Sequence, residues 1–184
     1  KYFLDNKEDD QPFFFWVGGL EPHRRYEYEA GIKFGGKNIE QIEKVPNYWP
    51  NSKNVKTDML DYAFEIEYFD SNLEIIINEL EKRNLLENTI IVVTSDNGMP
   101  FPRVKGQVFP NDNRLPLAIR WGKGIKNPRR IINDYVSFSD FAPTFLEIAG
   151  VDLANQNMEE FSDKKIKNIF NDEPIQKKRN YMII

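Results

Sequence analysis

Thr89–Gly98, with the sequence TIIVVTSDNG, gives the clearest indication of the fold of this chain. Its first six residues are apolar or β-branched and do not alternate with polar ones, which is typical of a central parallel strand buried on both faces. An acid, an amide and a glycine follow directly. Because ligands in open α/β sheets bind beyond the carboxyl ends of the strands, this position is a candidate site.

The residues upstream of this strand predict a crossover unit. Pro12–Gly19 is a continuous apolar run and is expected to form another strand buried on both faces. Leu20–Lys56 has no clear periodicity and is expected to be a functional loop or lid. Thr57–Asn84 carries an apolar stripe at helical spacing. Strand, helix and strand in this order predict parallel neighbours, and hence an α/β fold with a mostly parallel sheet and helices on both faces.

Two residues of the predicted long helix have specific expected roles. Thr57 can cap its amino terminus with its hydroxyl group. Asp70 lies on the apolar stripe, where we expect a hydrogen-bonded structural aspartate facing a polar gap.

The downstream part of the chain predicts further elements. Leu115–Trp121 is expected to be a strand and Asp134–Ser137 a short one. Ser139–Ala149 is expected to be a helix that Ser139 caps and Gly150 ends. The polar tail contains one weak helical pattern at Glu159–Phe170.

Composition excludes several classes of function. The 184 residues carry a net charge of −4, so nothing indicates nucleic-acid binding. There is no cysteine, which excludes disulfides, thiolate metal sites and a cysteine nucleophile within these residues.

No stretch approaches the roughly 20 apolar residues of a membrane span. The chain lacks an initial Met and a signal-peptide pattern, and both of its ends are interpreted as unfinished.

Asp96, Asn97 and Gly98 are the first candidate site residues. Taken alone, this triplet is common β-turn chemistry. At the end of a central strand, however, a carboxylate and an amide oxygen supply two hard ligands that suit Ca²⁺ or Mg²⁺ better than Zn²⁺. Gly98 is expected to let the backbone turn tightly away from the ion.

A second candidate group follows the first predicted strand. It contains Glu21 and His23, the only histidine of the chain, with Arg24 behind them. In this setting His23 could donate a hydrogen bond to an anion or protonate a leaving atom, although a lone histidine is more often structural. Lys105 and Arg103 could reach the same anion, and the alternative for both is a solvated loop cation.

These segments resemble the sulfatase family. Thr94–Pro102, TSDNGMPFP, resembles the family's second metal-binding motif and is most similar to the heparan N-sulfatase (sulfamidase) group. Pro12–Arg24 is similar to the family's strand and Asp-Pro-His-Arg loop, with Glu21 in place of Asp. Leu115–Trp121 and Val136–Thr144 resemble a later strand and helix. The similarity spans about Pro12 to Val151.

The resemblance implies an alkaline-phosphatase-like α/β fold and hydrolysis of sulfate esters or sulfamates, on a sulfated glycan such as a heparan-type glycosaminoglycan. It implies a formylglycine nucleophile and a Ca²⁺ ion, with a periplasmic, extracellular or lysosomal location. By correspondence, the metal ligands would be Asp96 and Asn97, the catalytic residues His23 and Lys105, and the substrate contacts Glu21, Arg24 and Arg103.

The chain also departs from the family pattern. It contains no Cys/Ser-x-Pro/Ala-x-Arg nucleophile motif and no early Asp pair. Residues 1–184 are therefore interpreted as a carboxyl-terminal portion of a sulfatase catalytic domain that is inactive alone, with its core at about 12–151 and the start of a carboxyl-terminal region at 152–184.

Two other functions remain open from the sequence. One is a phosphodiesterase or phosphomutase of the same superfold, but such enzymes commonly place a histidine where Asn97 stands. The other is a non-catalytic module that binds anionic glycans.

Overall fold

The computed structural model describes residues 1–8, 10–151 and 166–173. Within them, two short strands accompany helices that vary greatly in length. The strands are β1 (Ile91–Thr94) and β2 (Leu117–Arg120). The α-helices are α1 (Tyr2–Asp5), α2 (Ala30–Lys33), α3 (Lys53–Glu81), α4 (Pro110–Asn113), α5 (Phe141–Ile148) and α6 (Lys167–Phe170), and 3-10 turns lie at Ile39–Gln41, Leu86–Asn88 and Phe138–Asp140.

The described residues separate into two compact units. The first consists of residues 1–86 and 94–117, and the second of residues 87–93 and the described residues from 118 onward. Every candidate site residue named above belongs to the first unit. The geometry of the site can therefore be described within that unit alone.

The long helix α3 confirms the predicted helix, with shifted ends. It starts at Lys53 because Ser52 caps it, its hydroxyl accepting a hydrogen bond from the Val55 amide at 3.4 Å. Thr57, the predicted cap, instead lies in the first turns and is fully buried. The helix ends at Glu81, and Asn84, the last residue of the predicted helix, lies in the turn that follows with a left-handed backbone (φ 57°).

A small apolar core holds the first unit together. Its buried members are Val45, Trp49, Phe101 and Val104. The Trp49 ring stacks on Phe101 with centroids 4.8 Å apart, and Tyr62 of α3 meets Phe101 edge-on at 5.7 Å. The irregular segment before α3 is thus packed, through Val45 and Trp49, against the chain that follows the Asp-Asn pair.

The sheet is smaller than predicted. β1 pairs with β2, which confirms both of these strands. Pro12–Gly19 forms no strand or helix, and Phe14 and Trp16 are 76% and 82% exposed. In the described part of the chain no strand pairs with this run, so its apolar side chains have no second layer to bury them. The expected mostly parallel sheet is therefore not observed among the described residues.

The second unit contains the predicted helix near residue 140. α5 ends before Gly150, whose φ of +76° is the left-handed conformation of a helix terminus. Its N-cap is Asp140 rather than Ser139, and Ser137 caps the 3-10 turn Phe138–Asp140 that leads into it, where the Asp140 carboxylate accepts from the Ser137 amide at 2.8 Å. This capping box also replaces the short strand predicted at Asp134–Ser137.

Two further expectations concern the tail and the membrane. The weak helix predicted at Glu159–Phe170 lies mostly outside the described residues, and its last residues form α6. Among the described residues, no helix combines the length and the apolar character needed to cross a membrane.

Candidate functional site

The Asp-Asn pair follows β1, with Ser95 between the strand and the pair. The Asp96 carboxylate is exposed and forms no hydrogen bond or ion pair with any other residue in the described ranges. Asn97 donates through Nδ2 to the Gly98 carbonyl at 2.8 Å, which leaves its side-chain oxygen available as an acceptor. The Ser95 hydroxyl donates to the Asn97 carbonyl at 3.1 Å and steadies the turn. Neither the Asp96 carboxylate nor the Asn97 side-chain oxygen is therefore engaged by another described residue.

Gly98 is required by close packing, not by its backbone angle. Its φ is not in the left-handed region, which corrects the tight-turn role expected for it. A Cβ at this position would lie 2.7 Å from the Asn111 carbonyl oxygen and 2.9 Å from the Asp112 Cα. The buried backbone of Gly98 therefore lies directly against the start of α4.

Asp112 ties the two ends of the following loop together. Its carboxylate accepts from the Gly98 amide at 3.3 Å and from the Gln107 amide at 2.9 Å. Trp49 holds the middle of the same loop, because its Nε1 donates to the Pro102 carbonyl at 2.7 Å. The loop that starts at the Asp-Asn pair is thus anchored by side chains from both sides of it in sequence.

Arg24 connects the His23 loop to the same segment. Its guanidinium binds Asp58 of α3 in a bidentate manner, at 2.9 and 2.8 Å, and donates to the Pro100 carbonyl through Nε at 3.2 Å and Nη2 at 2.9 Å. Its carbon also lies 5.2 Å from the Phe101 ring centroid. The two sequence segments predicted to share a site are therefore hydrogen-bonded to each other through one side chain.

His23 has a defined tautomer in this arrangement. Its Nδ1 lies 2.9 Å from the Arg24 carbonyl oxygen, and since a carbonyl only accepts, Nδ1 carries the hydrogen. The Nε2 atom of the exposed ring is left for another partner. The main chain of the loop is held by the His23 amide donating to the Leu20 carbonyl at 2.7 Å, across a cis Glu21–Pro22 peptide.

The remaining candidates occupy the surface around these segments. Arg103 has a left-handed backbone (φ 66°) and places its guanidinium over the rings of Tyr48 (5.9 Å) and Phe109 (5.4 Å). Lys105 is exposed and has no ion-pair partner in the described residues. Glu21 is half-buried. Burial raises the pKa of the Glu65 carboxyl, and the negative charge of Glu21 raises it further.

The metal site expected here is not complete in the described residues. No three acidic or histidine side chains come together in that part of the chain. Asp96 and Asn97 fit a hard divalent ion by the chemistry of their oxygens, but Ca²⁺ takes about 6–8 oxygen ligands. Further ligands would have to come from substrate, water or other protein groups.

Sequence reasoning missed three acids that organise the site. Asp58 binds Arg24 and accepts from the Tyr26 hydroxyl at 3.0 Å, and Asp112 anchors the loop as described above. Asp61 is 1% exposed and accepts from the backbone amides of Glu29 and Gly31 at 2.9 and 2.8 Å. Of these three acids, only Asp61 could have been identified from the sequence, because it lies one helical turn after Thr57 on the buried side of the helix.

Comparison with known proteins shows the family to which the chain belongs. The sulfatase family profile matches residues 1–151, so the chain belongs to the sulfatase family. The family has an alkaline-phosphatase-like α/β fold and generally uses Ca²⁺ and a formylglycine.

Several curated sulfatases are similar to this chain. Human N-acetylglucosamine-6-sulfatase is 32% identical and aligns with 87% of this chain and 33% of its own length. An ulvan-active sulfatase of Formosa agariphila is 28% identical, over 79% of this chain and 30% of its own. Human N-sulphoglucosamine sulphohydrolase is 24% identical, over 76% and 32%. The chain thus spans about a third of the length of these relatives.

Proposed function

We propose that this chain is part of a sulfatase that hydrolyses sulfate esters or sulfamates on a sulfated glycan of the heparan type. The observation that carries the proposal is the Arg24 bridge, which joins the His23 loop to the segment after Asp96 and Asn97. The names of two relatives, N-acetylglucosamine-6-sulfatase and N-sulphoglucosamine sulphohydrolase, support a sulfated amino sugar.

In this proposal, Asp96 and Asn97 hold a Ca²⁺ ion through their side-chain oxygens. When bound, the ion supplies positive charge that offsets negative charge developing on the sulfate group. His23 uses Nε2, the ring nitrogen not engaged with the Arg24 carbonyl, to donate a hydrogen to sulfate or to the leaving atom. Lys105 acts as an unpaired cation toward the same anion.

Three other residues were predicted to contact substrate, and their surroundings refine that proposal. Arg103 lies over two aromatic rings and keeps its guanidinium hydrogens for an anion. Glu21 would accept from sugar hydroxyls. Arg24 has five N–H groups and makes four hydrogen bonds to protein, so one Nη1 hydrogen is left for substrate.

The nucleophile and the rest of the calcium ligands are proposed to come from sequence outside these 184 residues. Residues 1–184 would then be a carboxyl-terminal portion of the catalytic domain, with about 12–151 in its core. An enzyme of this kind is proposed to act in the periplasm, outside the cell or in the lysosome. The polypeptide of residues 1–184 alone is expected to show no sulfatase turnover above background.

The decisive test is Asp96→Ala in the intact enzyme, assayed with aryl sulfate and aryl phosphate in parallel. We expect wild type to hydrolyse the sulfate in a calcium-dependent manner, and Asp96→Ala to lose about 100-fold or more of kcat/KM. Asp70→Ala is the control, because Asp70 is exposed and unpaired within the described ranges. Full activity of Asp96→Ala, or a preference for phosphate, would overturn the proposal.

A further inference from the structure

We propose that Arg24 and Asp58 are positioning residues, and that together they set the placement of His23 relative to the Asp96–Asn97 loop. The catalytic consequence rests on the function proposed above, whereas the structural consequence does not. Asp58 has no role in the site predicted from the sequence, and Arg24 was expected there only as a substrate contact.

The geometry of Arg24 is that of a clamp between three segments. Arg24 lies in the same loop as His23. Its Nη1 and Nη2 donate to the Asp58 carboxylate on α3, and its Nε and Nη2 donate to the Pro100 carbonyl. A bidentate fork fixes both the distance and the plane of the guanidinium. Pro100 stands three residues after Asn97, so the clamp acts close to both ends of the site.

The carbonyl of Arg24 extends the effect to the imidazole ring. It accepts from His23 Nδ1 at 2.9 Å, so the residue that forms the clamp also sets the histidine tautomer. Because the side chain of Arg24 is fixed at Asp58, its own main chain has little freedom to turn. The orientation of the ring therefore depends on the ion pair between Arg24 and Asp58.

The surroundings of Asp58 favour a permanent pair. The hydrogen bond to Asp58 raises the pKa of Arg24 above its usual value. Burial first, and then the Asp58 charge, raise the pKa of Tyr26, so its hydroxyl keeps its hydrogen and donates to Asp58 at 3.0 Å. Phe101, stacked on Trp49 in the core, supports one face of the Arg24 guanidinium.

The test compares Arg24→Lys, Asp58→Asn and the double variant in the intact enzyme. A lysine keeps the charge but cannot form the fork, and an asparagine keeps the shape but loses the charge. We expect each single variant to lower kcat by about 10- to 100-fold with little change in KM, since a small misplacement is that costly. We expect the double variant to be no worse than either single one, because both remove the same clamp.

Arg83→Lys is the matched control. Arg83 also forms a salt bridge with an acid of α3, Glu79, at 2.7 Å, but roughly 30 Å further along the helix axis. It should leave kcat and KM unchanged. If Arg24 acts only through a substrate contact and not through Asp58, Arg24→Lys would raise KM, Asp58→Asn would have a much smaller effect, and the proposal would be overturned.

Hydrogen exchange on the same variants separates this proposal from the proposed function. We expect backbone amides of residues 20–26 and 97–104 to lose protection together in Arg24→Lys and in Asp58→Asn, and not in Arg83→Lys. This result would stand even if the wild-type enzyme hydrolysed no sulfate. Unchanged protection in both segments would refute the clamp, whatever the activity.

Discussion

Asp61 and Asp70 of α3 have opposite surroundings, since Asp61 is 1% exposed and Asp70 faces solvent. Asp70 was expected to be the hydrogen-bonded structural acid on the apolar stripe, but it is exposed. Asp61 has that role: its two carboxylate oxygens each accept a backbone amide at the entry to α2. The periodicity of the helix shows where a polar residue faces, but not whether a loop elsewhere in the chain supplies donors for it.

Asp61→Asn is expected to lower the free energy of unfolding by about 1–3 kcal/mol. An asparagine keeps one acceptor but turns an NH₂ group toward the amide of Glu29 or Gly31, which leaves a buried donor unpaired. Urea denaturation measures the change. Asp70→Asn is the control and should stay within about 0.5 kcal/mol of wild type. Equal effects of the two variants would contradict this assignment.

Gly98→Ala is expected to cost about 1–3 kcal/mol, because its Cβ would press against the backbone of Asn111 and Asp112. Gly18→Ala is the matched control, since its Cβ would meet only the Trp16 ring nitrogen at an ordinary 3.6 Å. Thermal unfolding of both variants compares them. If Gly98→Ala were as stable as Gly18→Ala, the backbone around α4 would have to shift at little cost, which would contradict this prediction.

At the scale of elements, the sequence predicted those whose stabilising contacts are local. α3, β1, β2 and α5 have their own periodicity or β-branched composition, and each is present. The observed helix starts differ from the predicted ones because a neighbouring residue forms the cap. Ser52 caps α3 in place of Thr57, and Ser137 with Asp140 caps the turn before α5 in place of Ser139. Pro12–Gly19 was predicted wrongly because a buried strand needs partners that its own sequence cannot provide.

The carboxyl end of α3 should show a specific pH dependence. Hydrogen bonds from Arg83 (2.7 Å) and Lys82 (3.1 Å) lower the pKa of Glu79 to about 2. A lowered folded-state pKa means that this stabilisation is present above the usual glutamate value of about 4.3 and is lost as the pH falls toward 2. We therefore expect Glu79→Gln to have a lower Tm than wild type at pH 7 and the same Tm near pH 2.

Glu74→Gln is the control for this effect, because Glu74 is exposed on the same helix and has no ion-pair partner in the described residues. Its Tm should lie close to that of wild type at pH 7, because no ion pair is removed. Raising the salt concentration should shrink the effect of Glu79→Gln, since the pair lies near the surface. A pH-independent difference for Glu79→Gln would contradict the lowered pKa.

At the scale of the whole molecule, the sequence predicted which segments would meet but not what joins them. The rule that ligands bind beyond strand ends placed His23 near Asp96 and Asn97, although the strand expected before His23 is not formed. Arg24, Asp58 and Pro100 make the actual connection. Their contacts span 34 and 76 positions in the chain, and no local pattern records such distant pairings.

The two tryptophans of the first unit test how this chain distributes its apolar surface. Trp16, 82% exposed in the unpaired run, has almost no burial to lose, whereas Trp49 is 6% exposed, stacks on Phe101 and bonds to Pro102. In the 184-residue polypeptide, we expect Trp49→Ala to cost about 3–5 kcal/mol. Trp16→Ala should cost less than about 0.5 kcal/mol.

Acrylamide quenching and dye binding measure this difference in exposure between Trp16 and Trp49. Trp16→Ala should remove most of the quenchable tryptophan emission and reduce the binding of a hydrophobic dye, since Phe14, Phe15 and Val17 of the run are also more than half exposed. Trp49→Ala should increase dye binding by loosening the core. If Trp16→Ala destabilised the polypeptide as much as Trp49→Ala, the run would have to be packed as a strand after all, as its composition predicts.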